Sequence, residues 1–420
     1  MELRFGYDTG EQIVDIPEKN LLGVLIPNPV EYTRTGAPEV QYSLEHPICS
    51  GRLEEIIKPG EKTTIITSDI TRPMPTDLVM PLLLDELYKA GLKPEDLTLV
   101  YACGIHRMHT LDERKKLAGE SVFSQIRCID ADTSNWVHMG ITTRGTPVNI
   151  VKEVAEAEKR ICLGNIEYHY FAGYSGGAKA IMPGVSTREA VQSNHSLMVE
   201  PLACAGVLEG NPVREDIEEA GNICKIDFIL NVVLDEHKKI IRAVAGHPIK
   251  AHREGCAFLD KLYLKEIPKK ADIILVSPGG APKDLNLYQT QKALDNAKYA
   301  VKDGGVIILI GSCKEGLGDR TFEEWITQSP NPHSIVERIR YDFQLGGHKA
   351  AAIAMVLEKA DIYLVSELPD DLVRNIFLTP QPSAQAALNA AFAKLGKDAT
   401  ILAMPYGSST LPRVKIRRES

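Results

Sequence analysis

The stretch KTTIITSDITRPMP, residues 62–75, carries the pattern from which the fold is predicted. Its first half is rich in β-branched residues and ends near Ser68, which is typical of a buried strand. A helix is predicted over residues 77–90, with Thr76 as its N-cap and Gly91 as its stop signal. A buried strand that leads through a loop into a helix indicates a parallel α/β sheet.

Further strand-like runs repeat this order along the chain. LTLVYACG, residues 97–104, and KRICLGN, residues 159–165, are two more predicted strands. Thr110 and Glu113 form a capping box for a helix that lies between these two strands in the chain. Beyond residue 270, four runs have the composition of buried strands: ADIILVSPGG, GGVIILIGS, ADIYLVS and ATILAMPYG.

These runs predict an α/β protein with two α/β domains, mostly parallel sheets and an active site in the interdomain cleft. A chain of 420 residues is also too long for one ordinary core. The predicted domains are residues 1–269 and 270–404, with residues 405–420 returning to the first domain.

Composition narrows the class of protein. Hydrophobic residues make up 44% of the chain, charged residues 25%, and the formal net charge is −8. This acidic balance argues against binding to nucleic acid or to a membrane surface. The chain has no apolar run long enough for a membrane span and no apolar signal core at its start. Its eight cysteines form no CxxC pair, so we expect reduced thiols and a cytoplasmic location.

Polar side chains gather in three segments that directly follow strands of the first domain: residues 68–75, 104–110 and 166–184. The ligand crevice of an open α/β sheet lies beyond the carboxyl ends of its strands, so these segments are expected to line one cleft. They bring Asp69, Arg72, His106, Arg107, His109, His169 and Lys179.

The three segments carry residue types suited to binding a carboxylate and to acid/base catalysis. Arg72 precedes a proline that stiffens its loop, and a rigid arginine can clamp a carboxylate; the alternative is a surface ion pair with Asp69. His106 and His169 come from different loops and can exchange protons with opposite faces of one substrate. Either histidine alone could equally be a metal ligand or a structural residue.

The third segment, IEYHYFAGYSGGAKAIMPG, combines a glycine-rich turn with a single lysine. Gly173, Gly176 and Gly177 permit tight turns and a close approach to a bulky ligand. The spacing is not that of a Walker A loop, because Ala180 stands where a Mg²⁺-binding hydroxyl is required. Lys179 could bind a phosphate, form a Schiff base, carry a covalent cofactor or simply be solvated.

A helix is predicted over residues 187–199, with Ser186 and Glu189 as its capping box. His195 falls on the apolar face of this helix, with Val191 and Met198. A histidine there is either a satisfied core residue or a single metal ligand with an apolar surround.

In the second domain, Tyr288, Gln289 and Lys292 follow a strand and can share one face of a helix. They suit a carboxylate ligand, or they form a solvated helix N-terminus.

Five motifs in order and spacing resemble the nickel-pincer lactate racemases and related 2-hydroxy-acid racemases and epimerases, over nearly the whole chain. The pattern D-x-T-R-P matches residues 69–73, G-x-H-R matches 104–107, and H-Y-F-x-G-x-S-G-G-x-K matches 169–179. N-H matches Asn194 and His195, and Y-Q-x-x-K matches 288–292.

The resemblance implies Ni(II) held by pyridinium-3-thioamide-5-thiocarboxylic acid mononucleotide, a cofactor tethered to Lys179 through a thioamide. It also implies that His195 supplies the fourth nickel ligand, in accord with the preference of Ni(II) for imidazole and square-planar sites. Asp69, Gly176 and Gly177 are expected to contact the cofactor. Cofactor-synthesis proteins are expected as transient partners.

The same resemblance implies that His106 and His169 are the two acid/base residues, and that Arg72, Tyr288, Gln289 and Lys292 hold a small 2-hydroxy acid. The Cα hydride would pass to the cofactor and return to the opposite face of a planar 2-keto acid, in a cleft closed to water.

The substrate itself is left open. The family's lactate enzyme has a tryptophan near the substrate where this chain has YDFQLGGHKA, residues 341–350. Lactate and a larger acid, such as a sugar acid or an aryl lactate, are therefore both candidates. Two other classes also remain: a carboxylate- or nucleotide-binding protein without catalysis, and a nicotinamide-dependent dehydrogenase, which lacks its GxGxxG fingerprint here.

Overall fold

The computed structural model describes residues 1–415 of the chain. The strands are β1 Glu2–Tyr7, β2 Gly10–Asp15, β3 Leu21–Val24, β4 Thr63–Ser68, β5 Leu97–Ala102, β6 Arg127–Asp130, β7 Trp136–Ile141, β8 Pro147–Val151, β9 Lys159–Asn165, β10 Tyr168–His169, β11 Gly173–Tyr174, β12 Phe228–Leu234, β13 Ile240–Gly246, β14 Leu264–Ile267, β15 Ala271–Val276, β16 Val301–Ile310, β17 Asp361–Val365, β18 Thr379–Gln381, β19 Ile401–Met404 and β20 Leu411–Val414. The α-helices are α1 Ala37–Glu45, α2 Leu53–Ile56, α3 Thr76–Lys89, α4 Leu111–Ala118, α5 Glu120–Gln125, α6 Lys152–Ala155, α7 Arg188–Ser196, α8 Pro212–Cys224, α9 Lys250–Tyr263, α10 Leu287–Ala297, α11 Arg320–Gln328, α12 Pro332–Tyr341, α13 Gly347–Leu357, α14 Asp370–Asn375 and α15 Ala384–Leu395.

The chain forms two compact units, each built on a six-stranded sheet. The first unit is Val30–Asp260, and the second combines Met1–Pro29 with the chain from Lys261 onward. The sheet of the first unit has the order β13-β12-β9-β4-β5-β6 and is parallel except for the β12–β13 pair. The sheet of the second unit has the order β18-β17-β16-β15-β19-β3 and is parallel throughout. The predicted α/β class with mostly parallel sheets is confirmed.

The division of the chain differs from the predicted one at both ends. Residues 1–29 belong to the second unit, because β3 pairs with β19 at the edge of that sheet and Phe5 and Val14 pack into its core. The segment predicted to return to the first domain also stays in the second unit, where β20 pairs with β14. The last five residues of that segment, 416–420, lie outside the described residues.

Each sheet is buried by helices that the apolar pattern predicts. In the first unit, Ile65 of β4 and Leu99 of β5 are fully buried and pack with Val79 and Leu83 of α3 in one core. In the second unit, the buried strand residues Ile273 and Ile308 belong to one core with the buried side chains of α15. Side chains on strands buried on both faces read as continuous apolar runs, which explains why the sequence signals these strands strongly.

Two predicted helix caps are wrong, and two are confirmed. Helix α3 begins at Thr76 rather than after it, and the Thr76 hydroxyl pairs with that of Thr67 at 2.7 Å instead of capping. Helix α7 is capped by Thr187, one residue after the predicted Ser186. Gly91 ends α3 with a φ of 90°, and the Thr110–Glu113 capping box is present.

All eight cysteines are free thiols. Among residues 1–415, the helices are all too short or too polar to cross a membrane.

Candidate functional site

The three polar loops of the first unit meet where the sequence predicts. Asp69 directly follows β4, and His106 lies four residues beyond the end of the neighbouring strand β5. The loop after β5 is joined to the Lys179 segment by a hydrogen bond from the Gly104 amide to the Gly184 carbonyl, 2.9 Å long. The same loop is joined to the Asp69 loop by side-chain contacts.

Asp69 orients His106. One carboxylate oxygen of Asp69 hydrogen bonds to Nδ1 of His106, and the other accepts from the amide and hydroxyl of Thr71, at 3.1 and 2.7 Å. Burial by itself would raise the pKa of Asp69, but the hydrogen bonds from His106 and Thr71 outweigh it and lower this pKa. An ionised Asp69 accepts the Nδ1 proton, so the lone pair of His106 lies on Nε2. The predicted contact of Asp69 with a cofactor stays a prediction.

His169 is held the other way round. Its Nδ1 accepts a hydrogen bond from the Ala172 amide at 3.3 Å, so the neutral ring carries its proton on Nε2. Its ring stacks on Tyr170 and meets the Phe171 ring edge-on. Burial lowers the pKa of His169 well below its ordinary value, and the positive charge of Lys179 lowers it further.

Lys179 lies in a short 3₁₀ turn, Gly177–Ala180, directly after the glycines. Its ammonium nitrogen is 5.9 Å from the centre of the Phe171 ring. The pKa of Lys179 is well below its ordinary value. Burial is the largest cause, and the positive charges of Arg214 and Arg72 lower the pKa further. A lysine in such surroundings loses its proton at a lower pH than an exposed lysine, and the neutral amine is the nucleophilic form.

The sequence did not predict the role of Arg214, a buried residue that holds the backbone of the loop between His169 and Lys179. Arg214 of α8 is fully buried, and it donates to the backbone carbonyls of Ala172 and Tyr174. Within residues 1–415 its Nη1 has no hydrogen-bond partner and the guanidinium forms no ion pair. The sequence pattern that could have indicated a buried arginine is its position one turn before Ile217, on the apolar face of an amphipathic helix.

Asn211, the N-cap of α8, supports the same loop. It is fully buried, and its amide donates to the Phe171 carbonyl at 2.9 Å. The loop that carries His169 is thus fixed to α8 by side chains, not only by its own turns.

The glycines before Lys179 give room to protein atoms. Both have positive φ, 75° at Gly176 and 60° at Gly177. A Cβ on Gly176 would lie 2.8 Å from Oδ1 of Asn231, and one on Gly177 would lie 3.1 Å from the ring of His252. The Gly177 amide donates to Asn231 Oδ1 at 2.7 Å, which fixes the turn. Close packing against Asn231 and His252 is therefore one reason for these glycines. Their contact with a cofactor stays a prediction.

His195 is buried on the inner face of α7, as predicted, with 7% of its surface exposed. Its Nδ1 is 2.8 Å from the side-chain oxygen of Asn194, whose amide group donates to Asp216 and to the Val213 carbonyl. Because the Asn194 amide is used in this way, its oxygen faces His195 and accepts the Nδ1 proton. The lone pair of His195 therefore lies on Nε2, the atom a metal would need.

The two arginines of the loops have different surroundings. Arg72 is exposed and forms no ion pair with Asp69 within the described part of the chain, so the alternative of a surface pair is not observed. Its charge is one of the causes that lower the pKa of both His169 and Lys179. Arg107 instead forms a two-pronged pair with Glu113 at 2.6 and 2.7 Å.

In the second unit, Tyr288, Gln289 and Lys292 lie in the first two turns of α10. The Tyr288 ring meets Phe322 edge-on, and the ammonium of the buried Lys349 lies 5.1 Å from its centre.

The segment after α12 does lie beside a tryptophan, although it contains none. A Cβ on Gly347 would come within 2.6 Å of the Trp325 ring, which is buried between α11 and α13. The sequence alone did not associate Trp325 with this segment, because Trp325 lies 22 positions before Gly347 in the chain.

Comparisons with known proteins find relatives that match nearly the whole length of the chain. The family "Lactate racemase N-terminal domain" matches residues 7–206, and "Lactate racemase C-terminal domain" matches residues 267–411. A lactate racemase from Thermoanaerobacterium thermosaccharolyticum is 34% identical, covering 97% of this chain and 98% of the relative. A second, from Lactiplantibacillus plantarum, is 31% identical over 96% of this chain and 97% of the relative.

Solved structures show the same likeness. The lactate racemase apoprotein from Thermoanaerobacterium thermosaccharolyticum superposes with a TM-score of 0.89 at 33% identity, covering 98% of this chain and 100% of the other. A Thermotoga maritima protein shares the fold, with a TM-score of 0.63 at 19% identity, over 90% of this chain and 98% of the other.

The family models and the curated relatives define an isomerase of the racemase class. The chain belongs to the lactate racemase family.

Proposed function

We propose that this racemase inverts the Cα centre of a 2-hydroxy acid by hydride transfer to a nickel-pincer nucleotide tethered to Lys179. One observation carries the proposal: His106 and His169, from two loops, are held by hydrogen bonds of opposite polarity. His106 presents a lone pair at Nε2 and His169 presents an N–H there. A base and a proton donor set in advance are what racemisation at a hydroxyl-bearing carbon requires.

The residues fit the proposed cofactor. His195 has its Nε2 lone pair directed by Asn194, which suits the fourth position of a nickel site. Two buried donors, Nη1 of Arg214 and Nδ2 of Asn231, have no partner within residues 1–415. Together with Arg72 they favour an anionic group such as a nucleotide. When bound, the cofactor supplies an acceptor for the Cα hydride.

In the mechanism we propose, His106 takes the substrate's hydroxyl proton at Nε2. The ionised carboxylate of Asp69 stabilises the imidazolium that results and keeps the ring in place. His169 donates a hydrogen bond from Nε2 to the substrate oxygen. After a second proton binds at Nδ1, which requires the hydrogen bond from the Ala172 amide to break, His169 supplies the proton of the product from Nε2. Both histidines exchange protons with solvent between turnovers. Arg72 binds the substrate carboxylate, as a rigidly held guanidinium does well.

The tether also changes the electrostatics around His169. A covalent bond at the Lys179 nitrogen would remove the positive charge that this side chain can carry, which is the second cause of the lowered pKa of His169. Attachment of the cofactor would therefore make it easier for His169 to accept a proton.

Lactate is the substrate we propose first, since both curated relatives are named for it. A larger 2-hydroxy acid, such as a sugar acid or an aryl lactate, is the second candidate. It is supported by residues 341–350, which contain no tryptophan where the family's lactate enzyme has one near its substrate. Tyr288, Gln289 and Lys292 remain proposed as substrate-binding residues. A cytoplasmic location also remains a proposal, supported by the free thiols.

The chain produced together with cofactor-synthesis proteins is expected to carry one covalent adduct and one nickel ion, and to interconvert D- and L-lactate. Intact-mass measurement, metal analysis and a chiral assay check these three points. A panel with glycerate, gluconate and phenyllactate separates the two substrate candidates. A nickel-free, unmodified chain, under conditions that load a known lactate racemase, would contradict the proposal.

A further inference from the structure

A second histidine–carboxylate pair lies behind the first. Nδ1 of His109 is 2.6 Å from Oδ1 of Asp130, and the His109 amide donates to Oδ2 of the same carboxylate at 3.0 Å. The two side chains are 1% and 8% exposed, so solvent has almost no access to the pair. The thiol of Cys103 lies 3.6 Å from the His109 ring and 3.8 Å from Asp130.

Three potential metal ligands meet here, but their bonding argues against a metal. Both ring nitrogens of His109 already have partners, and both oxygens of Asp130 accept hydrogen bonds. Burial, followed by the negative charges of Asp130 and Asp69, raises the pKa of the Cys103 thiol to about 12. The thiol thus stays protonated at neutral pH, whereas a metal site needs the thiolate.

The other ring nitrogen of His109 reaches the first pair. The Ile70 amide donates to Nε2 of His109 over 3.1 Å. An amide can only donate, so Nε2 carries the lone pair and the ring proton lies on Nδ1, directed at Asp130. Ile70 is the residue directly after Asp69, and His109 lies three residues after His106. His109 therefore joins the loop of Asp69 to the loop of His106.

The strand order explains why the connection can form. β4, β5 and β6 are neighbours in the sheet, and parallel strands bring their carboxyl ends to one edge. Asp69 follows β4, Cys103 follows β5, and Asp130 is the last residue of β6. The contacts therefore run across three strand ends, from Asp130 through His109 to the Asp69–His106 pair.

We infer that His109, held by Asp130, is a positioning residue that fixes the Asp69 loop against His106. It does not touch the substrate, and it acts by setting where the Asp69 carboxylate lies. The inference assigns His109 a role in the proposed reaction and rests on the proposed function for that part. The structural part, that the Asp69–His106 hydrogen bond depends on His109, stands without it.

Leucine and glutamine at position 109 separate positioning from mere burial. In His109→Leu the Ile70 amide loses its acceptor, whereas in His109→Gln the side-chain oxygen can replace Nε2. We expect His109→Leu to lower kcat by at least about tenfold, because small misplacements of catalytic groups are costly, with KM changed little. His109→Gln is expected to recover most of that loss. His138→Leu, at an exposed histidine that also forms one side-chain hydrogen bond, is the control and should match the wild type.

The ¹⁵N-histidine NMR spectrum of the apoprotein reports on the Asp69–His106 hydrogen bond directly, so this test does not depend on an activity assay. The His106 Nδ1–H correlation is expected in the wild type and in His109→Gln, and it should be lost or exchange-broadened in His109→Leu. A folded His109→Leu that keeps this signal, or keeps kcat within about twofold, would overturn the inference. If His109→Leu loses this signal but neither the wild type nor any variant has racemase activity, the structural part of the inference is supported. That result would count against the proposed function alone.

Discussion

Lys179→Ala is expected to carry no covalent adduct and to show no racemisation above the apoprotein. The reason lies in the surroundings of the amine. Burial and the neighbouring charges of Arg214 and Arg72 lower its pKa well below the usual lysine value. The amine is therefore neutral at a pH where exposed lysines are protonated, and only the neutral amine can attack an acyl or thioacyl carbon.

This explanation also predicts a pH dependence. Attachment, or labelling of the apoprotein by an acylating reagent, should fall as pH drops through the lowered pKa of Lys179, well below the pH at which exposed lysines stop reacting. Peptide mapping of the labelled or loaded chain measures it. Lys116→Ala, at an exposed position on α4, should leave the adduct and activity unchanged. A full adduct on Lys179→Ala, or equal pH profiles for Lys179 and Lys116, would contradict the assignment.

His106→Ala and His169→Ala are expected to lower kcat by about 10²–10⁴-fold each, the usual contribution of a positioned acid or base. Both should keep nickel and the adduct, since neither residue is proposed to bind the metal. Kinetics in both directions, with metal analysis of each variant, test this. The two directions are informative because the histidines are held with opposite proton positions.

Asp69→Asn is a companion to the first of these variants. An asparagine can keep a hydrogen bond to His106 but cannot stabilise its imidazolium by charge, so a smaller loss of kcat is expected than for His106→Ala. His138→Ala serves as the control histidine. A near-wild-type rate in either direction for His106→Ala or His169→Ala would remove that residue from the acid/base pair.

Much of the site's location could be predicted from sequence because parallel sheets place their ligand-binding loops at one edge. Each of the strands β4, β5 and β9 is a buried run that ends in a polar loop, so topology alone predicts that Asp69, His106 and His169 lie at one edge of the sheet. The contact between Asp69 and His106 is observed. The burial of His195 followed in the same way from helical periodicity.

What sequence could not give are contacts between residues far apart in the chain. The place of residues 1–29 depends on β3 pairing with β19, nearly 400 positions away. The roles of Arg214 and Asp130 depend on which loop each one reaches, and a single buried charge on a helix or strand does not say so. The hydrogen bonds of the Asp69 carboxylate with His106 and Thr71 were also not predicted, while its contact with a cofactor stays a prediction.

The fate of the Cα hydrogen tests the central claim most directly. The loaded enzyme is allowed to racemise L-lactate, or the 2-hydroxy acid it converts fastest, in D₂O, and the product is examined by NMR and mass spectrometry. Hydride transfer and return predict that the inverted product keeps protium at Cα, while only the exchangeable hydroxyl takes up deuterium. Deuterium at Cα in the inverted product would mean that the carbon is deprotonated instead, and would contradict the account.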